Sequence, residues 1–248
     1  MGSRAVIGLL ASLVLIVLLL VNAPARLVLQ LLPGEQLVLQ GVSGTLWRGS
    51  AARAMAATGG GWLHLGQLHW RLSALSLLSL SPRVELDSEW GRQRLNTQLI
   101  LHSGDELELA DMDAVLDAEL LRQYLPVSLV GSIALQFNRL VLLDGLPREA
   151  EGRLVWQDGG WHSPQGRRGL GTYAVDVSNE EAGGIRGDIV TLAGDVVATG
   201  QAVLKNNGYE LEVLVSGAGL EDPQLRQALQ LVATPEDGAY RVVMEGEL

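Results

Sequence analysis

The chain has 248 residues, a formal net charge of -10, 48% apolar residues and no cysteine. That apolar fraction excludes an intrinsically disordered chain. The acidic balance repels a phosphate backbone and excludes nucleic acid as a partner, and the lack of thiols excludes disulfides and thiolate metal sites.

The first segment, Ala5 to Val21 (AVIGLLASLVLIVLLLV), carries no charge and is apolar on every face of a helix. As a helix it rises about 26 Å, just under the roughly 30 Å of a bilayer core. Two readings compete. Ala23-Pro24-Ala25 resembles an A-x-A cleavage site and suits a secretory signal peptide. A run longer than the usual apolar region of about 7–15 residues suits an uncleaved anchor, which is the expectation here. Arg4 and Arg26 flank the run almost symmetrically. With the α-amino group added to the short side, the N-terminus is expected inside and the bulk of the chain outside.

Next comes GVSGTLWRGSA, residues 41–51. Gly41, Gly44 and Gly49 suit a bulge or tight corner, where a side chain would clash or φ must be positive. Ser43 sits in G-V-S-G-T and lacks the G-x-S-x-G of a nucleophile elbow. Leu46 and Trp47 are expected on opposite faces of the strand that follows. Trp47 can bury a large area while its indole N–H stays bonded at a rim. The stretch reads either as a hairpin corner with a core tryptophan or as a docking edge just beyond the membrane.

Beyond Pro33 the apolar period becomes that of strands. In VELDSEW, Val84, Leu86, Ser88 and Trp90 alternate with Glu85, Asp87 and Glu89. LNTQLIL, ELELA, TYAVDV, GYELEVLV and GAYRVVME share this character, separated by turn signals such as Asp144-Gly145 and Asn206-Asn207-Gly208. Two short helices are expected among them: DAVLDAELLRQYL, which stops before Pro126, and EDPQLRQALQLVA, with Asp222 as cap and Pro223 in the first turn. Segments 104–125 and 208–229 align without gaps, with matches such as Glu106/Glu210, Leu116/Leu220 and Arg122/Arg226. The alignment suggests a duplicated strand-rich unit. The expected organisation is a short cytoplasmic end and anchor over 1–25, a first β-rich unit over 26–145 and a second, continuous with it, over 146–248.

Chemistry is scarce. His64 and His69 are five apart in a strand-like run and are expected on opposite faces, the wrong geometry for a shared metal. Asp111-Met112-Asp113 lacks further ligands for a cation and is read as the acidic start of a helix. LVSGAGLEDPQL has Asp222 where a dinucleotide loop needs its third glycine. No nucleophile–base pair, metal cage or phosphate loop emerges, so neither an enzyme nor a cofactor is expected.

GVSGTLWRGSA followed by LHWRLSALSLLSLSPRVEL resembles the type II secretion system protein N family. The likeness continues in a G-R-L-x-W strand (Gly152, Arg153, Leu154, Trp156) and a terminal G-x-L (Gly246 to Leu248). It departs at Ala74, where the family's tryptophan-strand turn usually has proline. The resemblance implies a non-enzymatic inner-membrane subunit facing the periplasm, partnered by other secretion subunits and carrying no catalytic residues. It also implies an AsmA-like curved antiparallel sheet forming a trough, mainly β with two short helices. The candidate interaction residues are Gly41, Ser43, Gly44, Leu46, Trp47, Gly49, Trp70 and Trp90. A lipid-binding or lipid-transfer protein, with acyl chains on the apolar face of the sheet, is the alternative.

Overall fold

A computed structural model describes residues 10, 12, 14–15, 18–28, 37–58, 61–79, 81–102, 106–123, 128–163, 166–181 and 183–247. The chain divides into two compact units, Met1–Trp90 and Gly91–Leu248. Of the expected anchor, Leu10, Ser12, Val14, Leu15 and residues 18–21 are helical and exposed. Its remaining positions lie outside the described residues. Among the described residues no helix is long and apolar enough to cross a membrane.

In the first unit, β1 (Leu37–Gly44), β2 (Arg48–Thr58), β3 (Gly61–Leu72) and β4 (Arg83–Trp90) pair in chain order, all antiparallel. A short helix, α1 (Ala74–Leu78), joins β3 to β4. It turns without the proline at position 74: Ser76 Oγ donates to Ser73 O at 2.6 Å and accepts from Arg83 N at 2.8 Å. Ala25, Leu39, Ala51, Ala54, Leu68 and Trp70 form the core, with Val84 and Leu86 packed against it. β4 alternates as its sequence dictates up to buried Ser88, but Trp90 is 48% exposed and leaves the apolar face.

The histidine expectation is overturned in β3. Gly66 adopts φ +72°, and the β2–β3 register shifts beside it. Leu65 and Gly66 both turn inward, so the outward set changes from Trp62 and His64 to Gln67, His69 and Arg71. An extra residue in a strand inverts the alternation that follows. His64 and His69 are therefore both exposed.

In the second unit, β5 (Gln93–Leu101), β6 (Glu106–Asp117), β7 (Leu129–Leu143), β8 (Leu146–Ser163), β9 (Gly166–Asn179), β10 (Ile185–Ala193), β11 (Val197–Lys205) and β12 (Gly208–Ser216) pair antiparallel in chain order. β14 (Ala239–Glu247) then pairs with β12, and β13 (Thr234–Glu236) lies outside β14. Two adjacent rows of directly opposed residues define the two faces. One runs Leu95, Ala114, Leu135, Leu154, Val175, Ile189, Gly200, Val213, Val242 and has no polar side chain. The next runs Asn96, Asp113, Gln136, Arg153, Asp176, Asp188, Gln201, Glu212 and then Val243. Successive residues point to opposite faces, so one face is apolar and the other polar. Ion pairs Arg94–Asp113 (3.6 Å), Arg153–Asp176 (2.7 Å) and Arg241–Glu212 (2.8 Å) tie the polar face together.

The second helix expected from sequence is present as α2 (Pro223–Leu229). Asp222 accepts from Gln224 N at 2.8 Å and Leu225 N at 3.3 Å. Leu225 and Leu229 pack on Val196, Val215 and Leu220 at one end of the apolar face. The first expected helix is corrected. Residues 113–117 continue β6, and only Ala118–Gln123 forms a 3-10 turn. Asp111 is a bulge residue at φ +49° and Asp113 pairs with Arg94, so these acids do not start a helix.

Candidate functional site

The stretch that stands out in sequence becomes a joint. β1 ends at Gly44, whose φ is +88° and whose partner across the hairpin is Gly49. A β-carbon at Gly44 would lie 2.5 Å from Arg48 O, and one at Gly49 would fall on the Trp70 ring. Both positions therefore need hydrogen in place of a side chain. Gly41, at φ +67°, faces Ala52 one step earlier. Ser43 and Ser50 share a hydroxyl hydrogen bond of 3.0 Å across the strands.

Leu46 and Trp47 do not enter a strand. They form the bend between β1 and β2, so the expected opposition across a strand is replaced by a corner. Each main chain is held: Leu46 N donates to Ala23 O at 2.8 Å, and Leu72 N donates to Trp47 O at 2.8 Å. Trp70, 7% exposed, fills the corner from below and its indole donates to Leu46 O at 3.2 Å. Trp70 is thus the core tryptophan, while Trp47 is half-buried.

The Trp47 indole donates to Leu20 O at 2.7 Å. Leu20 belongs to the final turn of the leading helix, and its carbonyl also accepts Ala23 N at 3.2 Å. Asn22 Nδ2 donates to a second carbonyl of that turn, Leu18 O, at 2.8 Å. Below it Pro24 bridges to Thr45, and Ala25, 2% exposed, enters the core of the first unit. The end of an apolar helix is thus fixed to the sheet by a side-chain cap, a backbone bond and a buried residue. The arrangement positions the helix end on the sheet.

Trp90 lies apart from this joint. It follows Glu89, which pairs with Gln67, and stacks on His64 with centroids 6.1 Å apart. Elsewhere polar side chains pair with one another. His102 donates to Glu108 at 2.9 Å, and Arg139 reaches both Glu108 (3.4 Å) and Glu149 (2.6 Å). Burial alone would raise the Glu108 carboxyl; the His102 hydrogen bond and the Arg139 charge outweigh it and leave it below its ordinary value. Burial pushes the Tyr173 hydroxyl up to about 12, and it donates to Val196 O at 2.9 Å. Among the described residues no cluster of three metal-ligating side chains occurs. Sequence reasoning missed the Trp47 acceptor, because a backbone carbonyl leaves no mark in a residue pattern.

Comparison with known proteins bears on the whole chain. The family model described as "Type II secretion system (T2SS), protein N" matches residues 35–243. A protein from Vibrio cholerae serotype O1 named "Type II secretion system protein N" is 29% identical, with 97% of each chain covered. Proteins of the same name from Aeromonas hydrophila (33% identical, 62% of each chain) and Klebsiella pneumoniae (29% identical, 84% of this chain and 81% of the relative) are also similar. No solved structure matches.

Proposed function

Since the chain belongs to the type II secretion system protein N family, we propose that it is a non-enzymatic accessory subunit of that export machine. Residues 5–21 hold it in the inner membrane, and both β-rich units stand in the periplasm, where they meet other secretion subunits. The observation that carries this reading is the Trp47 bond to Leu20 O. A sheet bonded to the last turn of an apolar helix takes its direction from that helix, so the corner sets how the sheet leaves the membrane. Gly41, Ser43, Gly44, Leu46, Gly49 and Trp70 shape the corner. Trp90, exposed and away from it, is a separate contact residue.

The test is Trp47→Phe in the bacterium that carries the chain. An aromatic ring stays while the N–H and part of the bulk go, which removes about 0.5–1.5 kcal/mol of hydrogen bonding and some packing. The expected result is a folded, membrane-associated protein with reduced export of the machine's substrates. Unchanged export alongside unchanged folding would remove the corner from the account, and recovery of the chain free in the cytosol would overturn the location.

One observation favours a second reading. The apolar row from Leu95 to Val242 crosses nine strands, and most of its residues are only half-buried. An AsmA-like trough would use such a face for acyl chains. Native mass spectrometry of protein purified in mild detergent should then reveal bound lipid, and its absence would leave the assembly role alone.

A further inference from the structure

We propose that the outer edge of β14, from Val242 to Glu247, receives an extended strand of a partner protein that carries basic residues on the polar face of the sheet. The backbone settles which groups are free. β13 and β14 are joined by Asp237-Gly238, both at positive φ (44° and 83°), a two-residue turn that closes on the pair Glu236↔Ala239. In such a hairpin the closing pair exchanges both hydrogen bonds, and along an antiparallel strand the bonding side alternates. Ala239 and Arg241 therefore bond outward to β13, and Val243, Glu245 and Glu247 point their N–H and C=O the same way.

The opposite edge of the β12 ladder gives the same phase. Lys205↔Gly208 closes the Asn206-Asn207 turn, both at positive φ (52° and 65°), so Tyr209, Leu211 and Val213 bond toward β14. Their partners Gly246, Met244 and Val242 are consequently the residues used inward. β13 ends at Thr234, opposite Arg241. Beyond it the outward amides of Val243, Glu245 and Glu247 have no partner among the described residues.

Side chains identify the occupant. The otherwise polar row ends at this edge in Val243, which is 63% exposed, and Met244 on the other face is 47% exposed. Proteins guard open edges with charge, lysine above all. Here Glu245 is directly opposite Glu210, and neither has an ion-pair partner among the described residues. Like charges face to face destabilise a sheet. A lysine at 245 would guard the edge and pair with Glu210, so guarding alone does not account for the acid. A strand that alternates Lys or Arg with apolar residues would set cations beside Glu245 and Glu247, lay a cation's aliphatic stem on Val243 and place an apolar residue beside Met244, which neutralises the stripe and satisfies the free amides. This deepens the assembly role and rests on it only for the statement that the partner is a secretion subunit.

The probe is the synthetic peptide Thr-Lys-Val-Lys-Val-Lys-Thr added to the full chain, with amide hydrogen exchange read residue by residue. Binding should slow exchange about tenfold at Val243 and Glu245, leave Met244 as it was, and weaken with salt. Glu245→Pro deletes one outward N–H and no bond to β12, so it should abolish the added protection while the Met244 amide stays protected. Glu245→Lys should weaken peptide binding with the fold intact. Peptide binding without protection at these amides, equal binding of Thr-Glu-Val-Glu-Val-Glu-Thr, or concentration-dependent protection without peptide, which means a second copy, would each overturn the proposal. In cells Glu245→Pro should reduce export. Normal export with successful peptide protection overturns the secretion subunit as partner. Normal export on deletion of the whole chain sinks the assembly role and leaves the strand chemistry standing.

Discussion

Gly49 and Trp70 show how a single hydrogen atom in place of a methyl governs the corner. The Trp70 ring occupies the space that a β-carbon at Gly49 would need. Gly49→Ala must displace a buried tryptophan, and it should destabilise the first unit by about 1–3 kcal/mol in chemical denaturation. The glycines were legible as a corner because the backbone need is local. Which tryptophan occupies the core was not, because Trp70 enters from β3 through tertiary packing. Glu108 supplies a pH-dependent case. Its folded carboxyl lies below the ordinary value of 4.5, so its stabilisation is complete above the unfolded pKa and is lost as pH falls through the folded one. Glu108→Gln should lower stability at neutral pH by up to about 1 kcal/mol, since His102 and half-exposed Arg139 lose a charged acceptor while Arg139 keeps Glu149. It should also flatten the loss of stability between about pH 5 and pH 3, as thermal melts across that range would record.

At the level of elements, periodicity succeeded where one face is wet and failed where an extra residue interrupts it. β4 alternates as written up to Ser88 and β12 throughout, with Glu85, Asp87, Glu210 and Glu212 exposed. In β3 the Gly66 bulge reversed the alternation and brought His69 to the exposed set that already held His64. Residues 113–117 open the run read as a helix, yet β7 pairs with all five and β5 with 113–115, so their backbone groups extend two ladders. Pairing on both edges overrides a local preference of a few tenths of a kcal/mol per residue. α2 was legible because its signals are chemical: Asp222 caps, and Pro223 begins the turn. Asp222→Ala should cost about 1 kcal/mol and loosen the packing of Leu225 and Leu229 on the apolar face. Hydrogen exchange over 223–229 would rise while β6 to β8 stay protected.

For the whole molecule, the open question left by sequence is whether the leading segment stays attached, and the structure of residues 18–28 supplies a physical argument. The A-x-A-like stretch is built into the fold: Ala23 and Ala25 are buried, Pro24 bridges to Thr45, and Ala23 O accepts Leu46 N. Cleavage after Ala25 would remove the carbonyl that accepts from Trp47, the partner of Leu46 and a core alanine together. None of this could be read from residue types, because an alanine in a cleavage site and an alanine in a core are the same letter. A chain that uses these residues for packing is expected to keep them. Intact mass measurement on membrane-extracted protein should therefore return the 26.5 kDa of the full sequence. In a version beginning at Arg26 the first unit should lose about 1–3 kcal/mol with the missing hydrogen bonds and buried surface. A mature species lighter by residues 1–25, with the first unit as stable as before, would replace the anchor with a signal peptide and leave Trp47 without its acceptor.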